Sequence, residues 1–138
     1  MNVNIVLFND FETLDIFGPL EILGKVQEYD IHYYSQNGGM ITSRQKTQII
    51  TEDIDLADKK GILVIPGGQG TRELVNDESF LNMLKVIAEE SGFCLSICTG
   101  SALLAKANVL NGKSATSNKQ AFEWVKSIND TVNWVQKA

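Results

Sequence analysis

The sequence is poor in the residues that build metal sites and covalent frameworks, with one histidine, two cysteines and two prolines among 138 residues. With a single histidine, His32, no zinc set assembles. The cysteines do not form a bridge either. If Cys94 and Cys98 lie on or near one strand, four residues at ~3.3 Å each hold them ~13 Å apart. A disulfide needs Cα atoms within about 7 Å. The spacing also misses the C-x-x-C redox pattern, so these are two separate thiols.

Positive charge is short as well. Twelve Lys and Arg against seventeen Asp and Glu leave a net charge of -5, with little to neutralise phosphates on nucleic acid or an anionic membrane. Lys59-Lys60, the one adjacent basic pair, reads as a solvated loop. No apolar run approaches the ~20 residues of a membrane span. Met1-Asn2-Val3-Asn4 enters a strand-like run without the basic and apolar stretches of a secretory leader. The expectation is a cytoplasmic protein that binds neither nucleic acid nor membrane.

What is present is ordinary for a globular chain: 43% hydrophobic and 21% charged residues, enough for one domain over 1–138 with a real core. Short apolar runs alternate with helical stretches. Strands are predicted over Val3 to Phe8, Tyr29 to Ser35, Gly61 to Ile65 and Phe93 to Ile97. Ile41 to Ser43 and Thr47 to Thr51 suit a strand pair, and shorter strands are expected at Ser114 to Thr116 and Thr131 to Val135. Between Thr13 and Val26 the pattern is helical, but Gly18-Pro19 predicts a short turn followed by a main helix starting at Pro19. Asn76-Asp77 offers an N-cap to a helix with Phe80, Leu84, Ile87 and Ala88 on one face. A helix carrying Leu103, Leu104 and Ala107 and another over Lys119 to Ile128 complete the series. Alternation of this kind implies right-handed βαβ crossovers, hence an α/β, flavodoxin-like three-layer sandwich with a mainly parallel sheet.

The strongest local signal is Cys98. It stands where the Phe93 to Ile97 strand turns at once into a helix, and Thr99-Gly100-Ser101-Ala102 supplies the small residues that a nucleophile elbow requires. A helix N-terminus there would favour thiolate over thiol. A buried structural cysteine is the competing reading, and it fits Cys94 better. Pro66-Gly67-Gly68, with Gly70, ends the preceding strong strand at the same sheet edge. Its backbone N–H groups are placed to stabilise a developing oxyanion, at the edge where open α/β sheets bind ligands. Asp15, set among Leu14, Ile16 and Phe17, would face that edge too. Beside a thiolate its carboxyl would resist ionising and would donate to sulfur or shuttle a proton. A helix-capping role is the alternative, and Glu12 and Glu21 are competitors expected to be exposed. His32 reads as structural, and Trp124 and Trp134 as packing.

With these residues in view, the chain resembles the PfpI/ThiJ superfamily, whose fold is like that of class I glutamine amidotransferases. The resemblance runs through Leu14-Asp15-Ile16-Phe17-Gly18-Pro19, Val64-Ile65-Pro66-Gly67-Gly68, Ile97-Cys98-Thr99-Gly100-Ser101 and Ala115-Thr116-Ser117-Asn118. Asp15 and Thr99 are most similar to the isonitrile-hydratase branch. The resemblance implies Cys98 as nucleophile, Asp15 as acidic partner, and Thr99 as a residue positioning substrate or water. It also implies Gly68 and Thr99 as backbone donors of an oxyanion site, with Gly67, Gly70 and Asn118 lining the substrate pocket. It implies a small-molecule substrate, a homodimer, and neither metal nor cofactor.

Asn118 stands where many relatives carry histidine, which disfavours a Cys-His dyad and a peptidase. Relatives usually continue past Val135 with a further strand and a covering helix. A chain without that closing segment is expected to expose hydrophobic surface. Four functions share the thiol: hydration of an isonitrile-like carbon, redox sensing, glyoxalase or deglycase chemistry, and ligand sensing as part of a transcription regulator.

Overall fold

A computed structural model describes residues 1–137; Ala138 lies outside the described residues. Strand β1 (Asn2–Val6) leads to helix α1 (Thr13–Leu23), then β2 (Asp30–Ser35), β3 (Gly39–Thr42) and β4 (Gln48–Asp53). Next come β5 (Ile62–Ile65), the single-turn α2 (Thr71–Leu74), α3 (Glu78–Glu90), β6 (Phe93–Ser96) and α4 (Gly100–Lys106). A short β7 (Ser114–Ala115), α5 (Phe122–Ile128) and β8 (Asn133–Trp134) follow. Six strands form one sheet in the order β3-β4-β2-β1-β5-β6. It is parallel except for the antiparallel β3–β4 pair, the strand pair expected from the sequence. None of the described helices is long and apolar enough to cross a membrane.

The strand order carries the architecture. From β1 the chain crosses to β2 on one side; from β5 it crosses to β6 on the other. Right-handed crossovers running in opposite directions place their helices on opposite faces, which makes three layers. All four residues of β5 are buried, as a strand covered on both faces must be. Around it pack Val3, Ile5, Phe11, Leu84, Ile87 and Leu103, all essentially without solvent contact. Phe8 meets Phe80 edge to face, with ring centroids 6.0 Å apart. Asp77 caps α3 by accepting from the Phe80 N–H at 3.1 Å.

Three local outcomes differ from the sequence reading. Helix α1 runs unbroken through Gly18 and Pro19. Proline normally drives its predecessor out of helical geometry by crowding that residue's Cβ. Gly18 has no Cβ and open space around it, so the helix survives with one hydrogen bond fewer. The last predicted helix begins as a 3₁₀ turn over Lys119–Ala121. Strands β7 and β8 pair in parallel with each other and stand apart from the main sheet. Strand β6 is therefore a sheet edge, and its Phe93 and Leu95 are 62% and 41% exposed.

Where β5 ends, the chain leaves almost no room for side chains. A Cβ on Gly100 would stand 2.6 Å from the Ile65 carbonyl oxygen and 2.8 Å from that of Pro66. Those are backbone atoms and cannot swing away. Gly100→Ala should therefore cost about 1–3 kcal/mol, the usual scale for overpacking. A urea titration reads this as a lower midpoint, and an unchanged midpoint contradicts the packing.

Candidate active site

The strand order reverses between β1 and β5, and such a switch point is where open α/β sheets hold ligands. The carboxyl ends of β1, β5 and β6 lie side by side there, and each contributes one piece of the site.

From β6 comes the elbow. Ile97 extends the ladder by donating its N–H to the Ile65 carbonyl at 3.0 Å. Cys98 then turns to φ 50°, the left-handed region that a residue with a Cβ enters only at a cost of order 1 kcal/mol or more. Two hydroxyls hold it there. Ser101 Oγ and Ser117 Oγ both donate to the Cys98 carbonyl, at 3.0 and 2.9 Å. Neither serine stood out in the sequence as a site residue, because each acts on backbone that only the fold brings near.

From β1 and the first turn of α1 comes Asp15, buried at 8% exposure. Its Oδ2 accepts from the Gly67 N–H at 3.1 Å, and its Oδ1 accepts from the Cys98 thiol at 3.5 Å. From β5 comes the Pro66-Gly67-Gly68 turn. A Cβ on Gly67 would fall 2.6 Å from both the nitrogen and the hydroxyl of Thr99, so only glycine lets the turn press against the elbow. Gly68 adopts φ 123°, which favours glycine for a second reason.

A cavity of about 370 Å³ opens over these groups, lined by Glu12, Asp15, Cys98, Thr99, Gly68 and Asn118. Gln69, Arg72, Gln120 and Ala121 complete its wall. Gly67 and Gly70, expected in the pocket, are not part of the lining. Gly67 lies buried beneath the elbow, and Gly70 abuts the Asn9 carbonyl and the Phe8 ring. The Gly68 N–H donates to Thr99 Oγ1 at 3.0 Å, so it does not point freely at an oxyanion. Thr71 donates to that same hydroxyl at 3.1 Å, and the Thr99 side chain ties the elbow to the glycine turn. The backbone N–H groups of Cys98 and Thr99 meet no acceptor among the described residues; both are open donors at the elbow. The Asn118 side-chain amide lies 3.2 Å from Ser117 Oγ.

Glu21, by contrast, is an exposed partner of Lys25. Glu12 is half-buried and at the site rather than exposed. Arg72 was not legible as a site residue at all; it stacks on the Trp124 ring, 3.7 Å from its centroid. His32 stands in β2, its Nε2 3.3 Å from Asn2 Oδ1. Two strands, β1 and β5, separate it from β6. Among the described residues no group of three or more His, Cys, Asp or Glu is placed to hold a metal.

The charge state of the pair corrects the sequence reading. A thiolate stabilised by the helix was expected, with Asp15 as a protonated donor. Instead, burial pushes the Cys98 thiol up, the Asp15 charge and hydrogen bond push further, and Glu12 adds to them, to about 11. Burial also raises Asp15, against the opposing Gly67 N–H and Cys98 hydrogen bonds, with Glu12 raising it slightly. The Cys98 thiol donates to the Asp15 carboxylate, which the Gly67 N–H also holds, and no donor among the described residues reaches Sγ. Cys98 therefore rests as the thiol at neutral pH.

The chain belongs to the DJ-1/PfpI family, whose profile matches residues 1–138. It is 29% identical to an isonitrile hydratase of Pseudomonas putida, over 86% of this chain and 52% of that protein. It is also 29% identical to a deglycase of Thermococcus kodakarensis, over 98% of this chain and 81% of that one. A ThiJ/PfpI family protein of Pseudomonas syringae shares the fold at a TM-score of 0.89 and 21% identity, over 99% of this chain and 57% of that chain. The chain thus spans about half the length of the hydratase it matches.

The shared proton makes a titration prediction. A thiol raised from 9.0 to about 11 reacts as thiolate, so iodoacetamide labelling of Cys98 should keep accelerating through pH 9 and level off only near 11. Asp15→Asn removes the charge and should move the midpoint down, with faster labelling at pH 8. Mass spectrometry of the labelled peptide measures both. A midpoint unmoved by the substitution contradicts the coupling.

Proposed function

We propose that this DJ-1/PfpI chain hydrates a small electrophilic carbon of the isonitrile type, with Cys98 as nucleophile and Asp15 as the group that moves the proton. The observation that carries the reading is the 3.5 Å contact from the Cys98 thiol to a carboxyl already anchored by the Gly67 N–H. No histidine shares this cavity, so the carboxylate is the base within reach of sulfur.

The steps balance around that pair. Sulfur attacks the terminal carbon of R–N≡C while its proton passes to Asp15, and Asp15 delivers that proton to the same carbon. The product is a thioimidate, R–N=CH–S–Cys98. Asp15, ionised again, takes a proton from water as the water oxygen adds to carbon. Asp15 passes that proton to nitrogen, then carries the hydroxyl proton to sulfur as the C–S bond breaks, releasing an N-substituted formamide and re-forming the thiol. Charge that builds on the substrate meets the Thr99 N–H at the elbow. Covalent capture divides one difficult addition into two easier ones.

The identity with the Pseudomonas putida isonitrile hydratase supports this reading. A second reading, deglycase chemistry on a reactive dicarbonyl, draws support from the Thermococcus and Pyrococcus deglycases, which match 98% of this chain. It would use the same thiol. Formamide release from cyclohexyl isocyanide, followed beside methylglyoxal consumption, separates the two. The hydratase reading expects isocyanide turnover, abolished in Cys98→Ala and reduced about 100-fold or more in Asp15→Ala, the usual scale for a lost general acid/base. Isocyanide turnover surviving both substitutions, or methylglyoxal consumption alone, overturns it.

A further inference from the structure

We propose that Arg72 is a specificity-determining residue, selecting substrates that carry a single carboxylate at the end remote from the carbon attacked by Cys98. The inference rests on the Cys98-centred reading above and adds the class of substrate.

Arg72 lies on α2, directly after the glycine turn, and reaches the wall of the cavity that contains Cys98. Its guanidinium lies over Trp124, 3.7 Å from the ring centroid. An aromatic face fixes the plane of the cation. Stacking uses that plane's face and spends none of its five N–H donors. No carboxylate among the described residues comes within ion-pair distance of it; the two pairs present are Lys25–Glu21 and Lys85–Glu89. Arg72 is exposed, so its stacked cation faces solvent with its donors unspent, the form in which arginine binds a carboxylate through two parallel hydrogen bonds.

The other charges in the cavity set the limit on that anion. Glu12 and Asp15 share the wall, and Arg72 is the one basic side chain there. The guanidinium can pair with one carboxylate, while Glu12 and Asp15 repel every further negative charge. A doubly charged phosphate monoester would keep an excess charge facing two carboxyls. Gln69, Asn118 and Gln120 add neutral amides around the same opening. They can bond a polar substrate without repelling it.

The test labels Cys98 with anionic iodoacetate and neutral iodoacetamide at one pH, in a Cys94→Ala background, with intact-mass readout. In each reaction sulfur displaces iodide and the thiol proton leaves through Asp15, so the ratio of the two rates cancels the thiolate fraction. Arg72→Gln should lower the iodoacetate-to-iodoacetamide ratio by about fivefold, the scale of one nearby charge in a partly screened cavity. Arg72→Lys should retain most of it. A ratio equal in all three proteins, or an equal slowing of both reagents, overturns the proposal and leaves Arg72 as packing on Trp124. Turnover of isocyanoacetate against its methyl ester, run in parallel, keeps the two readings distinguishable. If neither is turned over while the labelling ratio falls, the hydratase reading fails and anion selection stands.

Discussion

One proton held between the Cys98 sulfur and the Asp15 carboxyl is the interaction on which the rest of the site depends. The pair is not a thiolate waiting for substrate. Burial and the neighbouring carboxylate keep the thiol protonated, while the Gly67 N–H keeps Asp15 ready to accept. A half-buried thiol beside a carboxylate, with no histidine at hand, is costly to ionise, because two negative charges would then face each other. In the proposed mechanism the proton moves at the moment of attack, when carbon takes the sulfur electrons. The inhibition of the resting thiol and the provision of a base are the same contact.

The fold makes that contact out of distant residues. Asp15, Gly67 and Cys98 follow three different strands, and they meet because β1, β5 and β6 are adjacent and parallel and so end at one edge. Close approach then depends on what is missing from the side chains. Gly67 and Gly100 let the β5 turn and the elbow touch, and the Thr99 and Thr71 hydroxyls fasten them. Ser101 and Ser117 hold the Cys98 carbonyl and stabilise its left-handed backbone. Small and hydroxylated residues thus do for the backbone here what packing does for the core.

Much of this was legible before any coordinates. Continuous apolar runs marked β1 and β5, turn residues marked their ends, and the Cys98-Thr99-Gly100 sequence marked the elbow. Parallel order brought Asp15 to the same edge. What was hidden depended on pairs of effects. The rule that proline breaks helices failed at Pro19 because Gly18 removed the Cβ that enforces it. The lowering expected of a helix N-terminus is outweighed at Cys98, where burial and then the Asp15 carboxylate push the thiol up. Arg72 and Trp124 are far apart in sequence and each looks like ordinary surface or packing. Only their stacking turns them into one feature. Composition could not assign β7 and β8 to a separate small sheet either, since two residues of each strand pair.

The location of the shared proton can be observed directly. Infrared spectra of a Cys94→Ala protein at pH 7 report the Cys98 S–H stretch and the state of the Asp15 carboxyl, with Cys98→Ala and Asp15→Asn as the subtracted references. The account predicts an S–H band that vanishes in Cys98→Ala, together with a carboxylate band and no carbonyl band from Asp15. A protonated Asp15 carbonyl band with no S–H band would place the proton on the carboxyl, and would contradict the mechanism at its first step.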